Sequence, residues 1–359
     1  LLDNEPKTGG VVHTDSWDGV GGDLQPEPDG VYGFALQAWR SDLGLWESET
    51  ATVIVDRVSP IVVVNSPQHG AILAPPLTVA GQTSDPHADA HTITLRYPDG
   101  STEDLDSGLG SWSAGDSFIL DELIDGEYRL SVTASDLAEN VTTVEHDFEI
   151  DQFAPSVVIL SPGAGATIDP SANTLVLRGS IASAHPESYA WWIADGAAPE
   201  PGDFVLVHQA FLATGGEVEH EWAGPPPGDG LHTLLLTATD QLFRTGEARH
   251  TFTIDSQGPA VEIWEPGAGS VVTEPVDITG LVDDANLTHW IVEEIPVSGP
   301  ARPLGWGTTT AQGDLAAWDP LPDDGPFAIR ITARDTAGHV SEVAIDVEVS
   351  VQPPGPPFD

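Results

Sequence analysis

The stretch SDPHADAH alternates Asp85, His87, Asp89 and His91. In an extended segment, side chains two residues apart share a face, so these four would project together. Imidazole and carboxylate side by side suit zinc or a similar cation. The plainer reading is a solvated polar loop between two strands. A second candidate is SYAWWIAD, where Tyr189, Trp191 and Ile193 alternate with Ala190, Trp192 and Ala194. The first set reads as core, which turns Trp192 outward as a candidate ligand-binding residue for a glycan, or as a contact for a neighbouring domain. Catalytic spacing is missing: there is no Gly-x-Ser-x-Gly, no phosphate-cradling glycine loop and no His-Glu-x-x-His. With no cysteine in the chain, thiol catalysis, thiolate metal sites and disulfides are excluded as well. No catalytic residue is assigned, and the chain reads as a non-enzyme.

Charge narrows the partners. The 57 acidic residues face 11 basic ones, for a formal net charge of −46. A phosphate backbone needs a basic footprint, so nucleic acid is excluded as a partner. A surface this acidic suits high salt or divalent cations, which relieve self-repulsion, and also suits plain solubility. No uncharged apolar run is long enough for a membrane-spanning helix. The lack of any methionine or signal peptide points to a mature or trimmed piece.

The elements that must position these residues are written four times. DGVYGFALQAWR, DGEYRLSVTASD, DGLHTLLLTATD and DGPFAIRITARD share one frame. Asp-Gly is a turn signal. The residues after it alternate with period two: Tyr128, Leu130, Val132 and Ala134 lie on one side, with Glu127, Arg129, Ser131 and Thr133 on the other. This is a strand with one buried face, entered from a tight turn. The phrase belongs to a longer unit. Asp56, Asp151 and Asp255 close later strands at steps of 95 and 104 residues, and each is followed four residues on by Pro60, Pro155 or Pro259. Pro67, Pro162 and Pro266 then lead into Pro-x-x-Gly turns, and a second strand is expected to end at Gly81, Gly179 and Gly280. Short strands and frequent turns over about 100 residues indicate a β-sandwich.

The units resemble the bacterial immunoglobulin-like repeats of large surface adhesins and related exported multidomain proteins. The motif behind the resemblance is a Trp, then Asp-Gly-x-[Tyr/Phe], an Ala-x-Asp strand end and an Asp-x-x-x-Pro linker. DTAGH at Asp335–His339 is similar to that family's Asp-x-x-Gly-Asn loop, and PEPDGVY is similar to the immunoglobulin-like part of flagellar hook-capping proteins. The resemblance implies an all-β chain of tandem immunoglobulin-like β-sandwich domains in a rod-like array. The expected divisions are 1–57 (the C-terminal part of a domain), three full domains at 58–153, 154–257 and 258–351, and a proline-rich tail at 352–359. In that fold the phrase is the sixth strand and its entry turn. Tyr32 and Tyr128 then stand where a tyrosine corner is expected, while His232 and Phe327 replace it with core filling. Trp17, Trp112, Trp222 and Trp318 are expected to cover the core near that corner. The first segment lacks room for its early strands, so the inward Tyr32, Phe34 and Leu36 need cover from upstream sequence or another molecule.

In a sandwich of this topology the loop after the sixth strand meets the preceding linker. Asp56 is then pooled with Asp85 and Asp136, and Asp255 with Asp284 and Asp335. A middle set of Asp151 and Asp240 has Ser183 in place of the third aspartate. Clustered carboxylates suit calcium, and similar adhesin repeats use calcium at such junctions; capping of loop N–H groups is the alternative use. On the calcium reading the middle set, one carboxylate short, binds weakest. The expected role is a spacer, stalk or adhesive region of an exported bacterial protein, extracellular or at the cell surface. Its partners would be other subunits or further domains of the same polypeptide. The alternative is an accessory glycan-binding region of a secreted enzyme.

Overall fold

The computed structural model describes residues 16–35, 37–40, 43–47, 50–113, 115–171, 174–222 and 227–351. Leu36 and the tail 352–359 therefore lie outside the described residues. The chain divides into two compact units, 1–152 and 153–359.

In the first unit, β1 (Gly30–Phe34), β2 (Gln37–Arg40), β3 (Gly44–Glu47) and β4 (Ala51–Val55) precede eight further strands. Those are β5 (Ile61–Ser66), β6 (Ala71–Leu73), β7 (Leu77–Ser84), β8 (Ala88–Arg96), β9 (Thr102–Leu109), β10 (Phe118–Leu120), β11 (Gly126–Asp136) and β12 (Val141–Ile150). The second unit repeats the set of eight twice. The first repeat is β13 (Ser156–Ser161), β14 (Thr167–Ile168), β15 (Val176–Ala182), β16 (Pro186–Asp195), β17 (Val205–Phe211), β18 (Gly216–Glu221), β19 (Gly230–Asp240) and β20 (Thr245–Ile254). The second is β21 (Ala260–Glu265), β22 (Val271–Val272), β23 (Val276–Asp283), β24 (Leu287–Pro296), β25 (Arg302–Gly307), β26 (Ala311–Trp318), β27 (Gly325–Asp335) and β28 (Val340–Val349).

Each set of eight forms two sheets, ordered β10-β7-β5 against β6-β12-β11-β8-β9 in the first sandwich. The other two are β13-β15-β18 against β14-β20-β19-β16-β17, and β21-β23-β26 against β22-β28-β27-β24-β25. The short second strand crosses from the three-stranded sheet to pair in parallel with the last strand. That is the immunoglobulin-type strand order. Among the described residues no helix is long and apolar enough to cross a membrane.

The repeated phrase is the longest strand of each sandwich, β11, β19 and β27. Each begins on a glycine with φ between +133° and +151°, a turn conformation that a β-carbon would oppose. Its inward residues alternate as the sequence does, with Leu130, Val132, Leu234, Leu236, Ile329 and Ile331 all fully buried. Trp112, Trp191 and Trp318 are the largest fully buried side chains, one to each core. Trp222 is partly buried against the second core, and Trp17 packs on Tyr32 and Phe34 with ring centroids 5.3 Å apart.

Two expectations need correction. First, β7, β15 and β23 run on past Gly81, Gly179 and Gly280. These glycines permit close approach rather than end a strand. A Cβ on Gly81 would collide with the Val63 carbonyl oxygen and lie 2.5 Å from the Trp112 ring; one on Gly280 would strike the Glu262 carbonyl oxygen. Second, His232 does more than fill space. Tyr128 donates its hydroxyl to the Ile124 carbonyl (2.9 Å), and Tyr32 donates to Pro28 (2.6 Å). His232 Nε2 lies 2.7 Å from the Gly228 carbonyl, the same fourth residue back. An imidazole N–H thus makes the corner bond of a phenol. Phe327 has no such group and packs edge-on against Trp318 at 6.2 Å.

In residues 30–55, β1 pairs with β4 and β2 with β3, an antiparallel ribbon equivalent to the last two strands of a sandwich. Phe34 is 38% exposed where its counterparts Leu130, Leu234 and Ile329 are at 0%. No second sheet covers this ribbon among the described residues.

Candidate junction site

Asp136, Asp240 and Asp335 end the three long strands and are buried. Each folds its loop in the same way. Asp136 Oδ1 accepts the N–H groups of Ala138 (2.8 Å) and Asn140 (2.9 Å). Asp240 Oδ1 accepts those of Leu242 (2.9 Å) and Arg244 (3.0 Å), and Asp335 Oδ1 those of Gly338 (2.7 Å) and His339 (2.8 Å). The second oxygen takes the side chain four residues on: Asn140 Nδ2 at 2.8 Å, Arg244 Nε at 2.8 Å or His339 Nδ1 at 2.7 Å. Burial pushes the Asp136 carboxyl up, but the Asn140 amide and the backbone donors outweigh it and hold it below the usual range. These contacts are the loop-capping use of the aspartates.

In the first unit, Asp56 follows β4. Its Oδ2 lies 2.8 Å from His87 Nδ1, and its Oδ1 accepts the Val58 N–H at 3.0 Å. Asn140 donates its amide both to the Asp56 carbonyl (3.0 Å) and to Asp136, so the linker, the loop before β8 and the loop after β11 meet here. Asp85 accepts the His87 N–H at 2.7 Å. One donor atom from each of Asp56, Asp85 and His87 lies within 4.8 Å of the others.

In the second unit, Asp255 Oδ2 accepts Asn286 Nδ2 at 2.8 Å, and Asp284 accepts the Asn286 N–H at 2.6 Å. Donor atoms of Asp255, Asp335 and His339 also lie within 4.8 Å of one another. The His339 Nε2 lies 3.1 Å from Asp169 Oδ2, just beyond β14, so this ring links the last sandwich to the one before it. The bond to Asp335 raises the His339 imidazole above its ordinary value, and Asp169 adds to the effect. Asp284 is raised, first by burial and then by the fields of Asp255 and Asp335, against the pull of its own N–H donor. Asp151, buried, closes the first unit, where its N–H donates to the Leu73 carbonyl at 2.9 Å.

The structure thus brings Asp56 and Asp85 together with His87, and Asp255 and Asp335 together with His339; Asp136 joins the first group through Asn140, and Asp284 joins the second through Asn286. It does not bring together the four alternating residues of SDPHADAH. The strand β8 begins only at Ala88, and a register shift between Ala88 and Ala90 breaks the alternation. His91 is buried instead, against the Gly110 carbonyl (2.9 Å) and Asp106 (3.1 Å). Sequence reasoning misses five further residues of these loops: Asn140, Arg244, Asn286, His339 and Asp169. Three of them carry a signal, since Asn140, Arg244 and His339 each place a polar or basic side chain four residues after a strand-ending aspartate.

Trp192 lies half-buried on the outer face of its sheet, its indole N–H 3.1 Å from Thr237 Oγ1. Leu206 is directly opposite on the edge strand β17, which ends on the 89% exposed Phe211.

No family model and no curated protein matches this chain. One similar solved structure is a tetra-tandem repeat from the extending region of a large adhesion protein, at 16% identity and TM-score 0.40, covering 92% of this chain and 84% of that one. Another is that of Drosophila N-cadherin EC1-4, at 15% identity and TM-score 0.28, covering 92% of this chain and 85% of that one. The fibronectin(III)-like modules of Clostridium thermocellum CbhA match at 13% identity and TM-score 0.29, over 54% of this chain and 94% of theirs. At these scores the likenesses assign no function, and the immunoglobulin-type architecture rests on the strand order of the three sandwiches themselves.

Proposed function

We propose that the chain is a non-catalytic spacer and adhesive region of an exported bacterial surface protein, with junctions set by loop carboxylates and stiffened by calcium. The observation that carries the structural role is the bonding between linker and loops. Asn140 joins the Asp56 carbonyl to Asp136, Asn286 reaches Asp255, and His339 reaches Asp169. Such bonds hold one sandwich to what precedes it, as a spacer requires.

Calcium is supported by the carboxylate field at Asp284, which burial, Asp255 and Asp335 push up against the pull of the Asn286 N–H and His339. A hard cation would relieve that repulsion, and its affinity follows ligand charge. Asp240, already paired with Arg244 at 2.8 Å, is poorly placed to serve a cation. Calorimetric titration of the full chain with calcium should show saturable heat that Asp284→Asn weakens and that Asp240→Asn does not. A hundredfold excess over Kd would stabilise the bound form by about 2.7 kcal/mol. If no heat appears, the aspartates serve as loop caps alone.

A second reading, a glycan-binding face, is favoured by the half-exposed indole of Trp192 opposite Leu206, with the exposed Phe211 farther along the same edge strand. Aromatic faces of this kind supply large contact area and a polar handle together. Glycan-array binding lost in both Trp192→Ala and Phe211→Ala would support it; an array blank for the unmodified chain would remove it.

A further inference from the structure

We propose that His208 and His220 form an acid-sensitive seam between the two sheets of the sandwich built from β13–β20. The seam is closed while the stacked rings are neutral and loosens when His220 takes up a proton.

The strand β17 is the edge of the five-stranded sheet, and β18 is the edge of the facing three-stranded sheet. Among the described residues no strand lies between them, and the His208 and His220 side chains meet across this flank. His208 is paired in register with the buried Trp191, and His220 with the buried Leu177. Their rings stack with centroids 4.1 Å apart and planes 11° from parallel. Both are half-buried. Among the described residues, the titratable groups around the pair are Tyr189 on β16, its hydroxyl 3.5 Å from His208 Nε2, and Glu221, next to His220 on β18. Glu219 is engaged by Arg178 of β15 at 2.7 Å.

The other two sandwiches provide internal controls. The positions matching His208 and His220 are Gly305 and Ala316 in the last sandwich, and the backbone approaches so closely there that a Cβ on Gly305 would lie 2.8 Å from that of Ala316. In the first unit they are Asp106 and Phe118, and Asp106 is held by the buried His91. Stacked imidazoles at this seam belong to the middle of the three sandwiches.

Neutral imidazoles stack favourably. Two imidazolium ions at that spacing repel, and burial disfavours the charge on His220. Burial first, and the His208 field second, lower the His220 pKa, with Glu221 pulling the other way. An opened seam therefore binds more protons than a closed one. Closure is complete above the ordinary imidazole value of about 6.5 and weakens as pH falls through it. The closed-to-open ratio should fall by up to about tenfold per pH unit for each proton excluded.

Hydrogen exchange on the full chain, corrected for the intrinsic pH dependence of exchange, tests this. Peptides covering 205–221 should lose protection between about pH 7.5 and about pH 5, by at most about tenfold per pH unit for the one excluded proton, while peptides of β25 and β26 keep theirs. His220→Gln and His208→Gln should each flatten that dependence. Should either variant unfold, imidazole C–H titration by NMR on the unmodified chain decides: His220 must titrate below the ordinary value. The proposal is overturned if protection over 205–221 is the same at both pH values. It is equally overturned if the loss persists in both variants, or if His220 titrates at or above the ordinary value.

Discussion

Trp191→Ala will cost its sandwich about 3–5 kcal/mol, and Trp192→Ala about 1 kcal/mol. The two residues are adjacent, so the contrast isolates the face on which each side chain lies. Trp191 is fully buried among Leu177, Leu234, Leu236 and Phe252. Its removal leaves a cavity that a close-packed sandwich cannot fill, and the cavity adds to the lost transfer energy. Trp192 covers the outside of the sheet and loses one hydrogen bond, to Thr237. Denaturant unfolding of the full chain, followed by hydrogen exchange at β16 and β19 amides, reads this sandwich separately from the others. Equal losses would mean that the strand does not present opposite faces at these residues.

Gly81→Ala is expected to be as damaging as a core deletion, at about 3 kcal/mol or more, although it adds one methyl group. The new Cβ would overlap the Val63 carbonyl on β5 and the ring of Trp112. Relief requires β5 and β7 to separate, and their ladder runs through Val64↔Gly81. Gly115→Ala, in the same sandwich, is the control: nothing lies within 4 Å of its new Cβ, and its φ is not positive. The control should change stability by less than about 1 kcal/mol. A Gly81→Ala protein as stable as the control would show that the sheets breathe enough to admit the methyl, contrary to the packing described.

Turn chemistry and two-residue periodicity act over a few neighbouring residues, so they can be read without knowing what packs on what. That is why the alternation of Tyr128 to Ala134, the Asp-Gly entry turns and the opposite faces of Trp191 and Trp192 were legible in the sequence. The approach of Asp85 to Asp56, and of Asp335 to Asp255, was legible too, because strand order decides which loops share a pole. Other features needed the packed sheets. Gly81 resembles a strand end until the approach of β5 and Trp112 shows why a side chain is excluded. His232 resembles filler until the corner brings its ring to the Gly228 carbonyl. His339 and Asp169 are far apart along the chain, and His208 and His220 sit in different sheets. No local propensity links such pairs. Hydrophobic burial closes the sandwiches first, and the distances between polar groups are set by that closure.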